Sequence, residues 1–251
     1  VARWRENGFA RAGMTIVTAG PASAQAMAAP IGALLDAFAP SAPRVAPPPV
    51  AMRADARTIA LEKQAPQTII QAFGPTGIVW GLDFIKAAMS IQRLGGGSQG
   101  RLHAALRDRL GATYGASVAI DSFSWGHYAP TISTAVEHDK AAEVVATIRE
   151  QYRRWWDDGM TEAEFAAVRS SMLGNRRDQR RQFGTVAATV ATAVARRLPA
   201  QYYDLYDRAL ESVTRAEVDA FIKAHFPREL GFVVVGPNAA ALGADCVIPT
   251  V

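Results

Sequence analysis

The sequence predicts an α+β fold, with an antiparallel or mixed sheet covered by helices. Three observations carry this. Short apolar or alternating segments recur at 58–62, 67–73, 114–124, 128–136 and 231–235. A long stretch from 139 to 225 keeps helical spacing of its apolar residues. The resulting order, two strands, two helices, a hairpin, several helices and a last strand, is not the strict strand–helix alternation of a parallel sheet.

Element by element, Met14–Ala19 reads as a strand stopped by Gly20-Pro21, and Ser23 as the cap of a helix over 24–38. A lone strand and a lone helix cannot bury their apolar faces by themselves, so residues 1–40 read as the tail of a preceding domain. Five prolines between Ala39 and Pro49 make a stiff connection, placed at 41–52. The complete domain is then 53–251. In it, Thr58–Glu62 and Gln67–Phe73 are strands. A helix over 82–94 turns Phe84, Ala87, Ala88 and Ile91 to one side. The run Gly95-Gly-Gly-Ser-Gln-Gly100 breaks it, and a second helix covers 101–110 up to Gly111. Tyr114–Ser124 and Tyr128–Val136 pair as a hairpin around Trp125-Gly126-His127.

Asp139 is the expected cap of a helix that ends at Gly159. Its apolar stripe is Val144, Val145, Ile148, Tyr152 and Trp155 or Trp156. Thr161 to Glu164 fits a capping box. Helices follow over 185–197, 203–211 and 215–225, the last introduced by Thr214, and Gly231–Val235 is the closing strand. One pattern occurs twice. A short apolar strand followed by Gly-Pro and small residues ends both Gly13–Pro21 and Leu230–Pro237, as two tandem copies of one domain would.

Composition narrows the function. The chain has 251 residues, 49% hydrophobic and 20% charged, with mean hydropathy +0.02. That supports a packed core and excludes a disordered or collagen-like chain. No apolar run is long enough to span a bilayer. Val1–Asn7 has no signal-peptide pattern, and the absent Met reads as a processed or fragment chain. The single cysteine, Cys246, excludes an internal disulfide and any multi-cysteine zinc site.

The net charge of +4 rests mostly on arginine, with lysine only at positions 63, 86, 140 and 223. The densest group, Arg176, Arg177, Arg180 and Arg181, also contains Asp178 and has no interleaved aromatics. It reads as a solvated helix face, and no nucleic-acid partner is expected.

A zinc site needs at least three good ligands in register. The histidines are His103, His127, His138 and His225, and neither HExxH nor HxxEH occurs. The nearest approach, Thr134-Ala-Val-Glu137-His138, has Thr where the first His would stand. There is no GxSxG, and the glycine run lacks the Lys-Ser/Thr of a phosphate-binding loop. No metal or cofactor is therefore expected on this chain.

The most informative stretch is Leu94-Gly-Gly-Gly-Ser-Gln-Gly-Arg-Leu-His-Ala-Ala-Leu-Arg107-Asp-Arg-Leu-Gly-Ala-Thr-Tyr114. It resembles the domain core of the M16 (pitrilysin/insulinase-like) metallopeptidases, in which a Gly-rich turn, Arg-Leu, a helix with Leu-Arg, and Leu-Gly-x-x-Tyr follow one another. Three further segments are similar to that family in the same order: Gly159-Met-Thr-Glu-Ala-Glu-Phe165, Val213-Thr-Arg-Ala-Glu-Val218, and Phe232-Val-Val-Val-Gly-Pro237.

The resemblance implies the family's fold, with residues 53–251 as one zinc-free domain. M16 enzymes pair homologous halves, one carrying the zinc motif and the other an Arg/Tyr pair seven residues apart. Arg107 and Tyr114 have that spacing. The resemblance implies that zinc sits on a partner half, that peptides are the substrates, and that Gly95, Gly96 and Gly97 border the substrate. It also implies that this chain is inactive alone, and for a bacterial pair it points to the periplasm. A rival expectation is a structural or assembly subunit that keeps the fold without proteolysis, like the core subunits of respiratory complex III.

Overall fold

The structure, a computed structural model, describes residues 10–41, 56–96, 100–113, 115–124 and 127–248. Most of the proline-rich connection, Gly97, Tyr114 and the hairpin tip at Trp125-Gly126 lie outside the described residues. Two compact units divide the chain. One takes residues up to 49 together with Leu173–Asp207, and the other takes Val50–Met172 and Arg208–Val251.

The second unit holds a six-stranded mixed sheet in the order β3-β4-β2-β5-β1-β6. Its strands are β1 (Thr58–Glu62), β2 (Thr68–Phe73), β3 (Ser117–Ser124), β4 (His127–Val136), β5 (Gly231–Gly236) and β6 (Cys246–Ile248). β3, β4, β2 and β5 form antiparallel neighbours, whereas β1 runs parallel to both β5 and β6. The mixed α+β class is as expected. β6 escapes the sequence reading because three residues with no alternation carry no periodic signal.

Alternation decides which face is covered. In β2, Ile70 and Ala72 are buried while Ile69 is 45% exposed, and in register Ile70 lies beside Thr134 and Val234, also buried. Helices cover that face: α2 (Phe84–Gly95), α4 (Ala141–Asp158) and α8 (Arg215–His225). The shared core runs through Ile70, Leu94, Leu102, Leu106, Ile132, Ile148, Trp155, Ile222 and Val234.

On α4 the expected stripe Val144, Val145, Ile148, Tyr152 and Trp155 is buried. The Trp155 indole N–H donates to the Ser90 carbonyl at 2.9 Å, and the Tyr152 hydroxyl to the Pro227 carbonyl at 2.7 Å. Burial pushes the Tyr152 hydroxyl above its ordinary pKa. Asp139 does not cap α4. A 3-10 turn over His138–Lys140 intervenes, and Lys140 precedes the helix without a side-chain cap. On α2 the buried residues are Ile85, Ala87, Met89, Ser90, Ile91 and Leu94, so the buried side is turned from the predicted one, and Phe84 and Ala88 lie at its margin. The expected helix over 101–110 is α only at α3 (Arg101–His103) and continues as a π-helix over Ala104–Arg109.

In the first unit, Ser23 caps α1 (Ala24–Leu35) by accepting from the Ala26 N–H at 3.1 Å. Met14–Ala19 has no strand partner among the described residues. A strand is stabilised by its ladder, so an apolar segment without a neighbour stays irregular. The arginine cluster is not simply a solvated face. Arg176 at the end of α5 (Glu162–Gln179) pairs with Asp207 at 2.9 Å, and its guanidinium lies 5.2 Å over the Tyr203 ring. Arg180 pairs with Asp204 and Asp207 on α7 (Tyr202–Ser212). A further helix, α6 (Phe183–Ala195), has no buried residue.

Candidate functional site

The glycine-rich turn, α3 and the loop to β3 form the candidate site. At the end of α2, a Cβ on Gly95 would stand 2.0 Å from a Val118 methyl, so the helix lies on β3 at a distance only glycine permits. Gly100 also packs tightly, since a Cβ there would stand 2.7 Å from the Gly95 Cα. Close packing requires glycine at both positions. Gly96 follows Gly95 at the α2 C-terminus, its N–H bonded to the Gln92 carbonyl at 2.7 Å.

Arg101, the first residue of α3, is turned away from solvent. It donates to the Gly159 carbonyl and to Glu164 Oε2, both at 2.7 Å, and Arg93 donates to Glu164 Oε1 at 2.5 Å. Burial alone would raise the Glu164 carboxyl. The hydrogen bonds from Arg101, the Thr161 N–H and Arg93, with the Arg101 charge, outweigh it and hold the group down to about 2.

The same turn receives a third motif. Arg215 of α8 donates to the Met160 carbonyl at 3.1 Å and pairs with Glu162 and Asp219 at 2.7 and 2.8 Å. Asp219 in turn accepts from the Met160 N–H at 3.0 Å. The Thr161/Glu164 and Thr214/Glu217 capping boxes start α5 and α8. Arg-Leu, Thr-x-x-Glu and Val-Thr-Arg, distant in sequence, therefore converge on residues 159–164 as scaffold.

Arg107 is different. Leu102, Ala105 and Leu106 point into the core, which leaves His103 and Arg107 on the open side. Arg107 is exposed and makes no ion pair among the described residues. Its guanidinium lies 3.5 Å from His103 Nε2. The loop beyond is fixed to the sheet: Thr134 Oγ1 lies 3.1 Å from both Thr113 Oγ1 and the Gly115 carbonyl. This loop flanks position 114 on both sides.

Among the described residues, no group of three or more His, Cys, Asp or Glu side chains could hold a metal ion. His138 is occupied by Thr68 Oγ1 at 2.9 Å, and Cys246 is an exposed free thiol on β6. The sequence reading names Arg107 but not the roles of Arg93, Arg101 and Glu164. Arg101 and Glu164 stand in the quoted motifs, yet contact across 63 residues leaves no local pattern.

The family profile described as "Peptidase M16 inactive domain" matches residues 2–172. The chain is similar in structure to the peptidase M16 inactive domain from Pseudomonas fluorescens, with TM-score 0.74, 19% identity, and coverage of 86% of this chain and 52% of that one. A protease from Helicobacter pylori gives TM-score 0.69 at 14% identity, covering 87% and 54%. The periplasmic protease PqqL from Escherichia coli gives TM-score 0.68 at 14% identity, covering 87% and 25%. At such identities the likeness is one of fold. The chain spans about half the length of the first of these solved chains. No curated protein matches it.

Proposed function

Because the chain belongs to the peptidase M16 inactive-domain family, we propose that it is the substrate-binding half of an M16 zinc peptidase, presenting Arg107 and Tyr114 to a zinc-bearing half. One observation carries the reading. Arg101 and Arg215 are spent on the scaffold, while Arg107 keeps an exposed guanidinium with no carboxylate among the described residues. A permanently charged planar donor suits a peptide carbonyl or carboxylate. A tyrosine hydroxyl is a neutral donor suited to the oxyanion that forms when a peptide carbonyl is attacked. The partner's zinc supplies the activated water. This chain's residues bind the peptide, orient its carbonyl and steady the developing charge.

Gly95 serves this site by letting α2 end against β3, and Gly96 by closing that helix on the Gln92 carbonyl. The periplasm is the proposed location, supported by the periplasmic relative of the same fold. Within the described residues, no helix is long and apolar enough to cross a membrane.

The test combines the chain with a zinc-bearing M16 half from its own source and follows cleavage of a fluorescence-quenched peptide. Arg107→Ala and Tyr114→Phe should each lower turnover while the two halves still associate. Unchanged turnover in both variants overturns the role, and a complex that assembles without any cleavage assigns the chain to assembly instead.

A further inference from the structure

Resting on the reading of Arg107 above, we infer that His103 is a positioning residue of the same site, holding the Arg107 guanidinium against the loop that carries Tyr114. The imidazole lies between the two. Its Nε2 is 3.5 Å from Arg107 Nη1, and its Nδ1 is 3.6 Å from the point where a side chain at Gly115 would begin. One ring therefore meets Arg107 and stands near Gly115, the residue that follows Tyr114.

Two further features fit this role. His103 and Arg107 stand four residues apart where α3 gives way to the π-helix of Ala104–Arg109. Such widened turns are rare and concentrate at functional sites. The far side of the loop is already pinned, since Thr113 and the Gly115 carbonyl both meet Thr134. Loop and helix are thus fixed, and the long Arg107 side chain is the free part of the assembly. An imidazole nitrogen accepting from its guanidinium limits the rotamers Arg107 must lose when a peptide binds.

Three variants separate positioning from packing. His103→Gln keeps a hydrogen-bond acceptor, His103→Phe keeps a ring against Gly115 without one, and His103→Ala keeps neither. The first readout is the guanidinium nitrogen spectrum of Arg107 in arginine-labelled protein. Resolved Nη signals are expected in the native chain and His103→Gln, and averaged signals in His103→Phe and His103→Ala. The second is affinity for a fluorescein-labelled casein peptide. His103→Ala and His103→Phe should weaken it about threefold to tenfold, with no further loss when combined with Arg107→Ala.

Native-like signals and affinity in His103→Phe would show a packing role and overturn the inference, as would losses that simply add to those of Arg107→Ala. If Arg107→Ala leaves peptide affinity unchanged, the Arg107/Tyr114 reading itself fails, and the nitrogen spectrum still decides whether His103 holds Arg107.

Discussion

The Arg101 guanidinium meets the Glu164 carboxylate at 2.7 Å, with side chains only 15% and 19% exposed. This contact joins two motifs that the sequence keeps apart. It also explains why the arginine that opens α3 is not itself an anion site, since Glu164 and the Gly159 carbonyl already take its donors. Further along, Arg107 and Arg109 are the arginines that stay exposed.

Glu164→Gln should lower stability by roughly 2 kcal/mol, the scale of hydrogen bonds to a charged group. The pH dependence has a definite sign. The folded carboxyl, held to about 2, lies below the unfolded value of about 4.3, so the contribution is complete above the unfolded value and is lost as pH falls toward the folded one. Urea midpoints of the native chain and Glu164→Gln should differ most near neutral pH and converge in strong acid.

Gly95→Ala places a methyl against Val118 and should cost about 1–3 kcal/mol, the range for overpacking a core. Val118→Ala, destabilising alone, should recover part of that loss when combined with it. Melting temperatures of the two single variants and the double variant measure the recovery.

Gly159 ends α4 at φ 66°, and a Cβ there would stand 2.3 Å from Asp219 Oδ1. Gly159→Ala therefore strains the backbone and dislodges the carboxylate that holds the Met160 N–H. A loss of about 1–3 kcal/mol is expected in thermal or urea unfolding. Asp219→Asn should cost less, because an amide oxygen still accepts.

Tyr114→Phe should reduce turnover of the assembled peptidase on the order of a hundredfold, as removal of an oxyanion donor does. Arg107→Ala should reduce turnover while leaving stability within about 0.5 kcal/mol, as expected for an exposed side chain. Paired activity and unfolding measurements on each variant separate chemistry from folding.

Much of the fold is legible in the sequence because its elements announce themselves locally. Thr214 and Glu217 cap α8 as their spacing requires, and the α4 stripe is buried as its period demands. Met14–Ala19 has no strand partner among the described residues: an apolar run reports willingness to pair, not the presence of a neighbour. The π-helix is silent because Ala104–Arg109 has ordinary helical composition. For the site, Arg107 is visible only through the quoted motif and its spacing to Tyr114. The Arg93–Glu164–Arg101 cluster depends on tertiary pairing, which no window of sequence contains.

The placement of β1 between β5 and β6 bears on how the protein is made. Thr58 pairs with Phe232, and Ile59 with Cys246, so the first strand of this sheet finds its neighbours in the two of its strands that are synthesised last. Until then a nascent chain can assemble the β3–β4 hairpin with β2 along β4, but it must keep an apolar strand waiting with both edges bare. Non-local closure of this kind is slow and exposes sticky edges. Premature termination before Gly231 would therefore produce a chaperone client rather than a smaller folded protein.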